Sequence, residues 1–380
     1  MRVLAASIPG LGHLLPMAPL IEAMVAAGDE VTVAAHPSVA DYVERTGAQL
    51  EAVGHDEATW FDRLRERTHG APGDGISPDR INHYFLPRLF GEIGADDMVD
   101  ELLGVAREVR PDVVLFETYA LAAPLVAELT GALSVQHLVG PIIDPEVLTL
   151  ADDAVSPLWR SYGWSSPGHA GVYAGATVSI CPPSLERFEV PCGEHLAVRP
   201  SPTPDHVPIS RDRPLVYVTI GTFFSENLEV YATVLEALGD LPIDVVVTLG
   251  AGGDPDALAA PSNATVERFV PQAELLPLCS AVVHHGGGGT TFGALAHGLP
   301  QVVLAQGADN FINAEMVAGC GAGIALAPSA RSAGEVRSAV REALAVPGYG
   351  VAAREVAAEI AEMPSPAEVA ASLRSMAASR

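Results

Sequence analysis

The chain is short of positive charge. Lysine and arginine together number 21 against 47 aspartates and glutamates, for a formal net charge of −26 over 380 residues. A nucleic-acid polymer or an anionic membrane surface is therefore a poor partner. An anionic small ligand has to be held locally, by backbone dipoles and a few side chains, against the overall field. Cysteine is scarce as well: Cys181, Cys192, Cys279 and Cys320 show no CxxC spacing and no dense framework, which points to free thiols in a reducing cytoplasm. Long apolar runs are missing, so no segment reads as a bilayer span. The apolar start Val3–Ala6 is brief, runs into Pro9-Gly10 and has only Arg2 as a basic residue, which does not make a signal peptide.

What is present is a chain 49% hydrophobic, long enough for two domains with cores of their own. Short apolar runs alternate with helical patterns. Strands are expected at Arg2–Ser7, Glu30–Ala34, Asp112–Leu115, Leu133–His137 and Thr177–Ile180, with helices at Leu14–Ala27, Ser38–Thr46, Asp97–Val109 and Ala120–Leu129. The stretch Glu194–Pro214 then carries Pro200, Pro202, Pro204, Pro208 and Pro214 and reads as a linker. Alternation resumes with strands at Leu215–Ile220, Asp244–Leu249, Thr265–Phe269, Ala281–His284, Gln301–Leu304 and Gly323–Leu326. Helices are expected between them, and two more, Val351–Glu362 and Pro366–Ser379, close the chain. Such alternation implies parallel sheets covered on both faces. The expected fold class is thus α/β, two Rossmann-like domains facing a cleft, with the C-terminal helices packing back on the first. The domains run 1–199 and 214–350, with 200–213 as linker and 351–380 as the closing helices.

The segment Ser280–Asn310 carries the clearest chemistry. An apolar run ends in His284-His285, four glycines follow, and Thr290-Thr291 open a helical pattern. A helix start offers free N–H groups and a favourable dipole to an anion, and glycine lets the backbone come close. No Lys-Ser/Thr follows, so this is not a P-loop. Adjacent His284 and His285 point to opposite sides of a strand end, a poor zinc site.

In the first half, the strand from Arg2 leads into Ser7-Ile8-Pro9-Gly10-Leu11-Gly12-His13. Ligands of open parallel sheets lie beyond the carboxyl ends of the strands. His13 is placed there to take a proton from a hydroxyl, although a histidine that merely caps the helix is an equal alternative. Gly10-Leu11-Gly12 lacks the third glycine of a dinucleotide fingerprint. The strand from Asp112 brings Glu117 to the same rim, where a carboxylate could orient His13 or stand solvated. Asp254-Pro255-Asp256 resembles a metal-binding DxD but has no further ligand nearby in sequence, so no metal site is expected. Aromatic residues Trp60, Phe61, His83, Tyr84, Phe85, Phe90, Trp159 and Trp164 fall in the long stretches Gly54–Gly94 and Gly140–Gly175, which read as irregular and could wall an apolar pocket or simply pack in the core.

Taken together, the PGLGH segment, Gly221-Thr222 and the run from Phe269 to Asn313 resemble the family 1 nucleotide-sugar glycosyltransferases of the GT-B fold. The chain is most similar to the actinobacterial members that attach deoxysugars to antibiotic aglycones. The resemblance covers nearly the whole length. It implies that His13 is the catalytic base and Glu117 its partner, where many members carry aspartate. It implies a donor site made of Gly12, Thr222, Phe269, Val270, His285, Gly287, Gly289, Thr290, Thr291, Asp309 and Asn310. Plant members place a ribose-binding glutamate where this chain has Gly293, which points to a deoxythymidine diphosphate (dTDP) sugar. They carry Asp-Gln where this chain has Asp309-Asn310, which suggests a deoxygenated sugar.

The function implied is inverting, metal-independent transfer from a dTDP-sugar to a hydroxyl of an apolar natural-product acceptor. It uses no cofactor beyond that co-substrate and takes place in the cytoplasm. No nucleic acid or membrane is expected as partner, and a homodimer is left open. A non-catalytic auxiliary protein of the same fold and a UDP-sugar transferase are the alternatives. A Rossmann oxidoreductase is disfavoured because the second strand ends at Ala34-Ala35-His36 without an acidic residue.

Overall fold

The computed structural model describes residues 1–68, 75–77, 80–189, 193–200, 212–221, 228–250, 253–307 and 309–380. It divides into two compact units, Met1–Arg199 with Pro364–Arg380, and Pro200–Met363.

Unit 1 is built on seven parallel strands: β1 Arg2–Ala6, β2 Glu30–Ala35, β3 Gln49–Ala52, β4 Val113–Glu117, β5 Leu133–His137, β6 Ala176–Ser179 and β7 Glu194–Ala197. Their order is β3-β2-β1-β4-β5-β6-β7. The central strands are buried and mostly apolar because helices cover both faces; β4, with sequence VVLFE, is buried at all five positions. The order reverses between β1 and β4, which pair in register from Val3↔Val113 to Ala6↔Phe116. That reversal opens a crevice at the strand ends, the usual ligand position in such sheets.

Unit 2 repeats the plan with six parallel strands: β8 Leu215–Thr219, β9 Asp244–Thr248, β10 Ala264–Glu267, β11 Ala281–His284, β12 Gln301–Val303 and β13 Gly323–Ala325. The order is β10-β9-β8-β11-β12-β13. Its reversal lies between β8 and β11, whose ends pair Thr219 with His284. The α/β class is therefore as expected, with a Rossmann-like sheet in each unit.

Several expectations need correction. The Pro-rich stretch does not start at Glu194, because β7 occupies Glu194–Ala197 and pairs with β6 from Ala176↔Glu194 to Ser179↔Ala197; most of the stretch, 201–211, lies outside the described residues. The described part of the segment from Gly54 to Gly94 is largely helical. It forms helices Glu57–Thr68 and Ile81–Phe85 and a π-helical stretch Leu86–Gly94 that runs into the helix Ala95–Val109. Likewise Pro145–Ser161 is a helix, started by the Asp144 side chain accepting from Glu146 N. Trp60 and Trp159 are core residues, whereas Trp164 is exposed. The expected first helix is two, Leu11–Leu14 and Ala18–Ala26. Of the two closing helices, only Pro366–Ala378 joins unit 1, where it packs on Ala18–Ala26. Arg374 donates to the buried Asp29 at 2.7 Å. The preceding helix Pro347–Glu362 packs on Gly288–Ala296 within unit 2. No helix among the described residues is long and apolar enough to cross a membrane.

Candidate active site

In unit 1, β1 passes into a loop that Gly10 turns with φ 112°, a region closed to ordinary side chains. The turn starts the short helix Leu11–Leu14 and sets His13 on its rim. Gly12, one residue earlier, is exposed on the same turn. Across the reversal point, β4 ends in Glu117, which is fully buried. His13 Nδ1 lies 3.2 Å from Glu117 Oε2, and the imidazole side chain is 22% exposed. The carboxylate also accepts from Ile8 N at 3.3 Å and Tyr119 N at 2.8 Å. A buried carboxylate needs such donors, and they fix its direction. With Nδ1–H donated to Glu117, Nε2 carries the basic lone pair of the ring. The Tyr119 ring meets the imidazole edge-on, with centroids 5.3 Å apart. The structure thus brings together two residues 104 positions apart that the sequence placed on one rim.

Sequence reasoning missed Glu57. It opens the helix Glu57–Thr68 and lies on the far side of Gly10. A Cβ added to Gly10 would stand 3.2 Å from Glu57 Oε1 and 3.5 Å from His13 Cδ2. Burial raises the pKa of Glu57, and the charge of His13 works against that rise. The signal was absent from the sequence because the helix is positioned from elsewhere. Asp97 accepts from Trp60 Nε1 at 2.9 Å, Arg63 at 2.6 Å and His55 N at 2.8 Å.

In unit 2, β11 ends in a tightly packed histidine pair. His284 is buried, with Nε2 2.7 Å from Gln301 Oε1 and Nδ1 accepting from Gly286 N at 3.0 Å. Burial pushes its pKa down to about 3, reinforced by His285 and partly offset by the Gln301 bond. It is a neutral strut that holds the first glycine of the loop. The His285 ring lies against two other glycines: a Cβ would come within 2.4 Å of it at Gly221 and at Gly287. Burial lowers its pKa to about 4, partly offset by a hydrogen bond with the Thr219 backbone.

The helix Gly288–Ala296 begins directly after Gly287. Its first intrahelical bond is Thr291 N to Gly287 O at 3.0 Å. The first-turn amides of Gly288, Gly289 and Thr290 therefore lack helical partners. The threonine hydroxyls serve the protein: Thr291 donates to Gly287 O at 3.0 Å, and Thr290 accepts from Gln272 Nε2 at 2.9 Å. Asn310 is buried, and with its amide nitrogen toward the loop it reaches His285 O at 3.3 Å and Gly307 O at 3.1 Å. Asn313 Nδ2 donates to Gly286 O at 2.8 Å and to Asp309 Oδ2 at 3.3 Å. Asp309 is half-buried at the start of that helix. Phe269 is 53% exposed, and Val270 packs against the core formed by Leu215, Tyr217 and Leu276. Thr222 lies outside the described residues. Gly293 is buried, and a Cβ there would stand 3.1 Å from Leu276 Cδ1.

The Asp254-Pro255-Asp256 turn is a capped 3-10 turn, with Asp254 accepting from Asp256 N at 3.1 Å. Elsewhere His83, Asp144 and Glu146 each bring a ligand-type atom within 4.8 Å of the others. Glu146 is exposed and Asp144 is occupied in capping a helix, so the group reads as a helix start.

Residues 232–376 match the family model described as erythromycin biosynthesis protein CIII-like, C-terminal domain. Over its whole length the chain is 30% identical to tylactone mycaminosyltransferase of Streptomyces fradiae, covering 93% of that protein. It is also 30% identical to 10-deoxymethynolide desosaminyltransferase of Streptomyces venezuelae, covering 97% of it. Among solved structures, the glycosyltransferase SsfS6 of Streptomyces sp. SF2575, complexed with thymidine diphosphate, superposes with a TM-score of 0.81 at 26% identity, over 99% of each chain.

Proposed function

The chain belongs to the GT-B-fold antibiotic glycosyltransferases of actinobacteria, and within that family we propose that it transfers a deoxysugar from a dTDP-sugar to a hydroxyl of an apolar natural-product acceptor, with inversion. The observation that carries the reading is the 3.2 Å bond between His13 and the buried Glu117 at the sheet reversal of unit 1. His13 Nε2 takes the acceptor proton while Glu117 holds the ring and stabilises the charge it gains. The acceptor oxygen forms a bond to the anomeric carbon as the bond to the diphosphate breaks. In unit 2 the amides of Gly288, Gly289 and Thr290 and the His285 ring stabilise the charge on the departing diphosphate. These donors carry that charge without a metal in this reading.

The nucleotide assignment is supported by Gly293 and by a solved neighbour. Glycine has no side chain, so no carboxylate reaches ribose hydroxyls from this position, and a deoxyribose requires none. The neighbour bound to thymidine diphosphate agrees with it. A reducing cytoplasm suits the free thiols of Cys181, Cys279 and Cys320.

A thermal-shift panel of dTDP, UDP, GDP and NAD tests the donor half, since a ligand that binds only the folded state raises Tm. We expect selective stabilisation by dTDP. Equal shifts with UDP would remove the Gly293 argument. A turnover assay with dTDP-sugars separates a transferase from an auxiliary protein that binds the nucleotide and converts nothing.

A further inference from the structure

We propose that Glu57 is a second carboxylate for the base, facing His13 across Gly10 and stabilising the imidazolium that forms when the acceptor hydroxyl gives up its proton. The inference rests on the transfer reading above and extends it to a residue outside the His13–Glu117 pair.

The geometry around Gly10 carries it. The site of a Cβ on this residue is bordered at 3.2 Å by Glu57 Oε1 and at 3.5 Å by His13 Cδ2. Only glycine, at φ 112°, lets the carboxylate and the ring edge approach one point from two sides. Glu57 is half-buried and makes no hydrogen bond or ion pair among the described residues. A half-buried carboxylate without donors is unfavourable unless a cation forms beside it. Helix capping does not account for it, because Asp56 already accepts from Thr59 N at 2.8 Å and from the Thr59 hydroxyl at 2.6 Å. The helix is held in place independently through Trp60 and Arg63 on Asp97.

The titratable groups around the ring are Glu117 and Tyr119 from the end of β4, and Glu57 with its exposed neighbour Asp56 from the helix start. His36 and His55 act electrostatically on Asp56. During transfer the acceptor proton moves to Nε2 and the oxygen's electron pair forms the glycosidic bond. The diphosphate leaves with the electrons of the broken bond. The imidazolium then has Glu117 on Nδ1 and the charge of Glu57 near it across Gly10. Glu57 touches neither acceptor nor donor in this role; it is a positioning residue acting through His13.

The test titrates the His13 imidazole by NMR of its Cε1–H signal, assigned by its disappearance in His13→Gln, in the full chain without ligand. Removing one negative charge a few ångströms away favours the neutral ring. Glu57→Gln should therefore lower the midpoint by about half a unit to one unit, the size expected for a charge at that range in a partly solvated site. Glu57→Asp, which keeps the charge, should retain most of the wild-type midpoint. The acidic limb of the kcat/KM profile should move to lower pH with Glu57→Gln, and the plateau should fall. An unchanged midpoint in both Glu57→Gln and Glu57→Ala would overturn the proposal even if His13→Ala is inactive. A shifted midpoint combined with full turnover in His13→Ala would instead refute His13 as the base.

Discussion

Histidine ends a sheet crevice in both units, and the surroundings make two different reagents of it. His13 sits on an open rim with a buried carboxylate on Nδ1 and a second across a glycine. Charge on that ring has partners waiting. His284 and His285 end β11 among glycines, with burial pushing them down to about 3 and about 4. Burial disfavours charge on those rings. The first environment suits a group that must accept a proton, and the second suits neutral hydrogen-bonding groups that shape a loop. Burial and a single carboxylate thus decide what one residue type does.

Three measurements would break or sharpen this contrast. The largest effect belongs to His13→Ala, which should lower kcat by roughly 10²–10⁴ and leave dTDP affinity unchanged. Near-wild-type turnover, or a loss confined to nucleotide binding, would place the two histidines in the same class. Next, His285→Ala should weaken dTDP binding by about twofold to thirteenfold in calorimetry, the size of one neutral hydrogen bond. Unchanged affinity would remove His285 from the diphosphate site.

The third measurement is of stability against pH. His284 and His285 titrate near 3 and 4 when folded and near 6.5 when unfolded. Between those values the unfolded chain binds more protons, so stability is full above about pH 6.5 and falls as the pH drops toward 4, by up to about 1.4 kcal/mol per pH unit for each histidine. Buried His137 in unit 1, lowered to about 4 by burial, adds to the same slope. Tm should therefore decline from pH 6.5 to pH 5, and less steeply in His285→Gln. A level Tm across that range would show that these rings are not held neutral.

The central strands and the His13–Glu117 pair were legible in the sequence because one physical pattern wrote both. Fully buried parallel strands are continuous apolar runs, so their carboxyl ends are visible, and a polar residue at such an end has a defined place. The edge strands of unit 1 left no such mark. β3 reads QLEA and β7 reads EHLA, each without a buried residue and with one neighbour apiece, and neither was expected. Glu57 was illegible for a different reason: its place depends on Trp60 and Asp97 meeting across 37 positions, a contact that no local periodicity encodes. The glycine loop was legible as a strand end followed by a helix start, but not that Thr290, Thr291 and Asn310 turn their side chains into the protein to hold it.

Unit 1 is assembled from two separated stretches of chain, whereas unit 2 is one continuous stretch from Pro200 to Met363. A hybrid that joins the front of one relative to the whole back of another would therefore import a foreign last helix. That helix would have to fit Ala18–Ala26, and Asp29 would lose Arg374 unless the donor sequence happened to supply it. Replacing residues 200–363 alone leaves every internal contact of unit 1 intact. The half that carries the glycine loop is in this sense a cassette with two junctions, and a recombinant should respect both.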